Sequence, residues 1–235
     1  MQGFLLIDKP AGMTSHDVVD RVRKLTGERR VGHAGTLDPF ATGLLIVGVG
    51  RPATREMSKL VGLDKTYETV FMFGSSSDTD DKTGTITPNP IDDVGEEELK
   101  AIFRSYTGPI KQLPPTYSAI KIKGKKMYEA ARKGEKLEAK PRSVTVYRFE
   151  PKLPIFEERL AVTIECSSGT YIRALARDIG ADLGGGGYVE ELRRTRIDSF
   201  SIDEATRLDD LTPDTVNESI ISIENVLNRL SKVSA

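Results

Sequence analysis

The 235 residues, 38% hydrophobic and 29% charged, suffice for one large globular domain and are too apolar for a disordered tail. No apolar run approaches the roughly 18–20 residues of a membrane-spanning helix, and MQGFLLIDKPAG lacks the basic start of a secretory leader, so a cytoplasmic protein is expected. Cys166 is the only cysteine, which excludes an intrachain disulfide and a cysteine-rich zinc site.

The net charge of −1 hides a strong asymmetry. Between Lys111 and Arg148 eleven Lys or Arg face three Glu, a local charge of +8, whereas 75–100 carries −6 and 198–235 carries −5. A basic third of this kind is the footprint that attracts a phosphate backbone, and it is also what a solvated lysine-rich surface looks like.

In chain order, GFLLIDK reads as a short buried strand ended by Lys9-Pro10. MTSHDVVDRVRKLTG reads as a helix, with Thr14 or Ser15 as its cap, Asp17 in the positive first turn and Gly27 as its stop. Val18, Val19, Val22 and Leu25 share one face of it. RRVGHAGTLDPFATG is a glycine-punctuated turn leading into an apolar strand, Leu44 to Val49. DKTYETVFMFG is a strand by its β-branched and aromatic content, SSSDTDDKTGTI a polar loop, and GEEELKAIFRSYTG a helix with acids in its first turn. A Pro-led, Lys-rich segment follows, with Tyr117 and Tyr128 interleaved, expected as an extended arm with a short helix. SVTVYRFE and RLAVTIECSSG are strands, and TYIRALARDIGADLG is a helix broken by four glycines at 184–187. With no internal repeat and no long linker, one α+β domain is expected.

Several site chemistries are poorly matched. DTDDKTG departs from the EF-hand pattern, because Gly84 stands at loop position seven and Asn89 where a bidentate Glu belongs. GHAGTLDP lacks the G-K-[ST] ending of a phosphate loop, and GVGRPATRE lacks dinucleotide-binding spacing. No G-x-S-x-G nucleophile elbow occurs. Cys166 reads as a small buried hydrophobe and His16 as a surface or capping residue. On generic grounds Asp38, just before Pro39, is a turn residue.

The motifs taken together resemble one family. VGHAGTLDPFATGLLIVGVG is similar to the catalytic motif of the bacterial tRNA pseudouridine-55 synthases, often called TruB. LLIDKPAGMTSHDVV, DKTYE, GSSSDTDDKTG, PPTYSAIKIKGKKMYEAARKG, SSGTYIRALARDIG and VEELRRTRI resemble its other segments and occur in the same order. The resemblance covers roughly residues 3 to 200. It implies a pseudouridine-synthase-like α+β fold, with a mixed, mainly antiparallel sheet flanked by helices and loops around a central RNA-binding cleft. It implies a single catalytic domain over 1–235, with a basic RNA-binding insertion at about 109–140 and a short acidic helical tail at about 203–235. Most members continue into an RNA-binding domain of the PUA type, for which that tail is too short.

Carried over residue by residue, the resemblance makes Asp38 the catalytic aspartate and His33 a contact to the RNA where the target base leaves the stack. It makes Tyr67 the ring that packs on the uracil, Arg173 the partner of the catalytic carboxylate, and Tyr171 and Leu192 further pocket residues. Lys9 and Pro10 support the site from below. The implied reaction turns uridine 55 of the tRNA T-arm loop into pseudouridine after base flipping, with no cofactor and no metal. A monomer that binds tRNA and no membrane is expected.

The chemistry suits these residue types. Cleaving the N1–C1′ bond builds positive charge on the ribose, as in glycoside hydrolysis. An ionised carboxylate can stabilise that charge, trap C1′ covalently or take a ribose proton on a glycal route, and the sequence leaves all three open. An arginine beside it would offset the rise in pKa that water exclusion causes, a role that suits Arg173, whose alternative is to bind an RNA phosphate. Two rival functions are a non-catalytic RNA chaperone and a related synthase acting on another RNA or directed by a guide RNA. The first needs neither Asp38 nor Arg173, and guide-dependent relatives are longer and resemble the chain less.

Overall fold

The computed structural model describes residues 1–92, 94–118, 120–122, 124–127, 130, 139–156 and 158–231. The chain divides into two compact units, one formed by 1–67 with 192–235 and the other by 68–191.

In the first unit β1 (Gly3–Lys9) pairs antiparallel with β3 (Thr42–Val49), placing Ile7 opposite Leu45. On its other edge β1 takes the two-residue β14 (Thr206–Arg207) in parallel. The free side of β3 is shared by two partners. Its C-terminal half pairs antiparallel with β2 (Val31–Ala34), and Thr42 and Gly43 pair in parallel with Arg193 and Arg194 of β12 (Gly187–Ile197).

Strand alternation sends successive side chains to opposite faces, and both faces here are covered, so β1 is apolar from Phe4 to Ile7 and β3 from Leu44 to Val47. Leu5, Ile7, Leu45 and Val47 pack with Val18, Val19 and Val22 of α1 (Ser15–Thr26). Phe4, Leu6, Leu44 and Ile46 pack on the opposite face with Ala53 and Leu60 of α2 (Gly50–Val61) and Val226 of the C-terminal helix (Ile223–Ser231). The acidic tail thus contributes one helix and two 3₁₀ turns, Ile202–Glu204 and Leu208–Asp210, to this unit.

The capping expected of α1 is present in full. Thr14 Oγ1 accepts from the Asp17 amide at 3.0 Å, the Asp17 carboxylate accepts from the Thr14 amide at 2.8 Å, and Gly27 closes the helix at φ +66°. Helix α2 is not apparent in GRPATREMSKLV, whose glycine and proline resemble a loop. Pro52 is tolerated because it lies in the first turn, where the amide has no intrahelical partner.

Gly43 is the tightest point of the strand that leaves the Asp38 turn. Its φ is +105°, and a Cβ there would lie 2.3 Å from the Arg194 carbonyl oxygen, on backbone that cannot move aside. Gly43→Ala is expected to separate β3 from β12 locally and to cost at least about 1–2 kcal/mol for the left-handed backbone alone. A lowered urea midpoint checks this, and an unchanged midpoint would contradict it.

In the second unit β10 (Arg142–Phe156) is the long central strand. It pairs antiparallel with β11 (Arg159–Cys166) on one side and β7 (Gly108–Gln112) on the other. Its aromatic core includes Phe103 of α3 (Glu96–Ser105) stacked on Phe149 at 5.6 Å, and Phe71 edge-on to Phe73 at 6.3 Å, both on β4 (Lys65–Phe73). Cys166 is a free, buried thiol. The acidic loop expected as irregular is the tip of a hairpin between β5 (Ser75–Ser77) and β6 (Ile86–Pro88). Of the basic insertion, Lys121–Ile122 (β8) and Lys125–Lys126 (β9) form a second small hairpin. Tyr128 and 131–138, with the short helix expected there, lie outside the described residues. Helix α4 (Ile172–Asp182) completes the unit.

Candidate active site

Asp38 sits in the connection between β2 and β3, a short loop that the surrounding chain fastens at almost every residue. The Ser15 hydroxyl accepts from the Leu37 amide at 2.9 Å and donates to the Leu37 carbonyl at 3.1 Å. The Pro39 carbonyl accepts from the Gly12 amide at 2.8 Å and from Lys9 Nζ at 3.3 Å, while the Ala41 amide closes a turn on the Asp38 carbonyl at 3.1 Å. Leu37, Phe40 and Ala41 are buried, whereas Asp38 between them is half-buried and Pro39 exposed. An aspartate that were simply a turn former would not require this anchoring on both sides.

Lys9 lies against the turn, with Pro10 next to it in the chain. Its side chain is fully buried, and Nζ donates to the carbonyls of Pro10, Met13 and Pro39 at 2.8, 2.7 and 3.3 Å. Burial pushes its pKa down to about 8, helped by the positive Arg194 and opposed by the negative Asp38. Arg194, also buried, donates from Nε to the Leu44 carbonyl at 2.7 Å and from a terminal nitrogen to the Gly35 carbonyl at 3.1 Å.

His33 lies on β2 opposite Val47. Burial, with the positive charges of Arg194 and His16, lowers its pKa below 6.5. The imidazole is therefore neutral at pH 7. Because the folded pKa is the lower one, the unfolded chain binds the proton first. Folding stability from this residue is complete above pH 6.5 and is lost as pH falls from there through the folded value. His33→Gln is expected to flatten the decline in urea midpoint below pH 6.5, and an identical decline in both proteins would overturn this.

Tyr67 and Leu192 belong to the same unit as Asp38 and are both buried. Tyr171 and Arg173 belong to the other. Tyr171 caps the N-terminus of α4, and its backbone is held by Gln112, whose amide oxygen accepts from the Tyr171 amide at 3.0 Å and whose amide nitrogen donates to the Tyr171 carbonyl at 3.2 Å.

Arg173, in the first turn of α4, is buried and points at the tip of the acidic hairpin. It donates to the carbonyls of Thr79 at 2.8 Å and Tyr117 at 2.9 Å and forms an ion pair with Asp81 at 3.3 Å. Asp81 is itself buried, and one of its oxygens accepts from Thr79 Oγ1, the Thr83 amide and Thr83 Oγ1 at 2.9, 2.9 and 2.5 Å. The neighbouring acids are also engaged. Asp78 accepts from the Thr85 amide, and Asp80 pairs with Arg177 at 2.9 Å. Burial raises the pKa of Asp80, and Arg177 opposes the rise.

Ser15, Asp81, Gln112 and Arg194 escape the reading of the sequence. The signal for Asp81 was the Thr-x-Asp-x-Thr spacing of 79–83, which lets two threonines fold back on one carboxylate. The other three act on backbone atoms far away in the chain, which no local pattern records.

Residues 23–172 match the family described as TruB family pseudouridylate synthase (N terminal domain), and 173–230 match the tRNA pseudouridylate synthase B C-terminal domain. A tRNA pseudouridine synthase B of Thermobifida fusca is 49% identical over 89% of the chain and 74% of its own length. Its counterpart in Aquifex aeolicus is 42% identical over 99% of the chain and 82% of its own. Among solved structures, a Cbf5-Nop10-Gar1 complex matches with a TM-score of 0.69 at 31% identity, over 90% of the chain. The chain spans about half, 54%, of the length of that solved chain.

Proposed function

Because the chain belongs to the TruB family of pseudouridylate synthases, we propose that it isomerises uridine to pseudouridine in tRNA, at position 55 of the T-arm loop. The observation that carries this reading is the Asp38 turn. A half-buried carboxylate stands on a loop in which Leu37, Phe40 and Ala41 are buried and the backbone of Leu37 and Pro39 is tied to Ser15, Lys9 and Gly12.

The reaction needs a fixed carboxylate at C1′. The N1–C1′ bond breaks, the uracil turns, and C5 bonds to C1′. The C5 hydrogen leaves as a proton and N1 gains one, so the atoms balance without an added reactant. Asp38 stabilises or traps the ribose cation, or takes a ribose proton. As the family resemblance implies, Arg173 serves as the cationic partner that keeps this carboxylate ionised, and within its own unit it is held by the ion pair with Asp81. The flipped uracil stacks on Tyr67, a contact worth roughly 1–3 kcal/mol, which offsets part of the few kcal/mol that flipping costs. Tyr171 and Leu192 line the pocket, and neutral His33 approaches the RNA where the base has left.

Tritium release from tRNA transcripts carrying 5-tritiated uridine tests the proposal. Release is expected from the unmodified sequence and from an isolated T-arm stem-loop, and it is expected to vanish when uridine 55 is replaced by cytidine. Release that persists after the replacement would move the activity to another position, and no release from any tRNA would end the enzyme reading.

A further inference from the structure

Arg194 is an unusual residue to bury. A guanidinium removed from water carries a penalty of several kcal/mol, which proteins ordinarily offset with a carboxylate partner. Among the described residues none lies within ion-pair distance of Arg194, although its side chain is essentially inaccessible. What it meets instead are two backbone carbonyls, those of Gly35 and Leu44. Gly35 opens the loop that carries Asp38, and Leu44 is the third residue of β3, just past the loop's other end.

The placement is fixed from the backbone outward. Arg194 and Gly43 are paired in the parallel β12–β3 contact, and Gly43 has no side chain to hold the strands apart. The guanidinium then spans from the start of β3 to the residue after β2. A loop whose ends meet on one rigid group has lost most of its freedom to hinge. The planar fork of arginine suits two divergent acceptors, whereas an ammonium is a single point of charge.

We propose that Arg194 is a positioning residue for the reaction, fixing Asp38 by clamping both ends of its loop. The proposal rests on the reading of Asp38 as the catalytic carboxylate. The positive charge of Arg194 also reaches Lys9 and His33, lowering the pKa of both, so the clamp lies in the same electrostatic neighbourhood as the turn it holds.

The test compares Arg194→Lys and Arg194→Gln with the unaltered protein in single-turnover pseudouridine formation, tRNA binding, thermal melting and backbone amide exchange. A displacement of about 1 Å at a reacting group costs on the order of 100-fold in rate, and a loss of that size is expected for Arg194→Gln. Arg194→Lys is expected to recover only part of it, with tRNA affinity unchanged within a few-fold in both. Amides between Thr36 and Thr42 are expected to exchange faster, while those of α1 are unaffected. A folded variant with the original rate, or equal losses in rate and affinity, would overturn the proposal. Failure of even the lysine variant to fold would also overturn it, by showing that the residue serves the core at large. Asp38→Ala run alongside separates the two readings. Activity surviving in Asp38→Ala overturns the role of Asp38 itself, whereas an inactive Asp38→Ala beside a fully active Arg194→Lys overturns only the clamp.

Discussion

Asp38→Ala is expected to abolish tritium release from 5-tritiated uridine in tRNA while leaving tRNA affinity within a few-fold of the unaltered protein. The expectation follows from the division of labour around the turn. Ser15, Lys9 and Gly12 bond to the backbone of Leu37 and Pro39, and those bonds do not involve the Asp38 side chain. Removing the carboxylate should therefore leave the loop in place and remove the chemistry alone. The loss should exceed about 10⁴-fold, the upper end of what one positioned acid–base group supplies, because stabilising C1′ and moving protons fall to the same residue. Asp38→Asn, which keeps the shape, should be as inactive. Turnover that survives in either variant would remove Asp38 from the mechanism. A parallel collapse in binding would instead make it an RNA contact.

The second large effect concerns the buried pair of Arg173 and Asp81. Both side chains are about 5% exposed, so their attraction is weakly screened and the charges cannot turn to water. Asp81→Ala removes the acceptor of three hydrogen bonds from Thr79 and Thr83 and the partner of a buried guanidinium. Breaking such a pair from one side costs about 3 kcal/mol, or a fall in melting temperature of roughly 6–12 °C for a chain of this size. Arg173→Ala is expected to reduce turnover far more than tRNA affinity. Equal losses in both would identify it as a phosphate contact. The double variant should be less unstable than the sum of the two, since each single change strands the other's charge, and simple additivity would show that the pair is not coupled.

The division between what is local and what is not runs through particular residues. Thr14, Asp17 and Gly27 mark the ends of α1 because caps act within a few residues of themselves, so sequence alone places them. The strands β1 and β3 are visible for a similar reason, their central residues being buried on both faces and hence a continuous apolar run. Helix α2 is hidden by Gly50 and Pro52, whose usual meaning as loop residues is reversed by their place in a first turn. In the acidic loop, the residue types suit either a solvated turn or a hydrogen-bonding loop, and only the fold shows Asp81 buried there under two threonines.

The sequence by itself determined the caps, the buried apolar strands and, through motifs in a fixed order, the family and the aspartate proposed as catalytic. Only the tertiary structure decided what holds that aspartate in place. Arg194 lies 150 residues or more from the carbonyls it binds, and Lys9 lies 30 residues from Pro39. Backbone carbonyls are common to every residue, so a side chain that fastens a distant loop through them leaves no complementary residue to find. A buried charge satisfied by main-chain oxygens is legible only once the chain has folded around it.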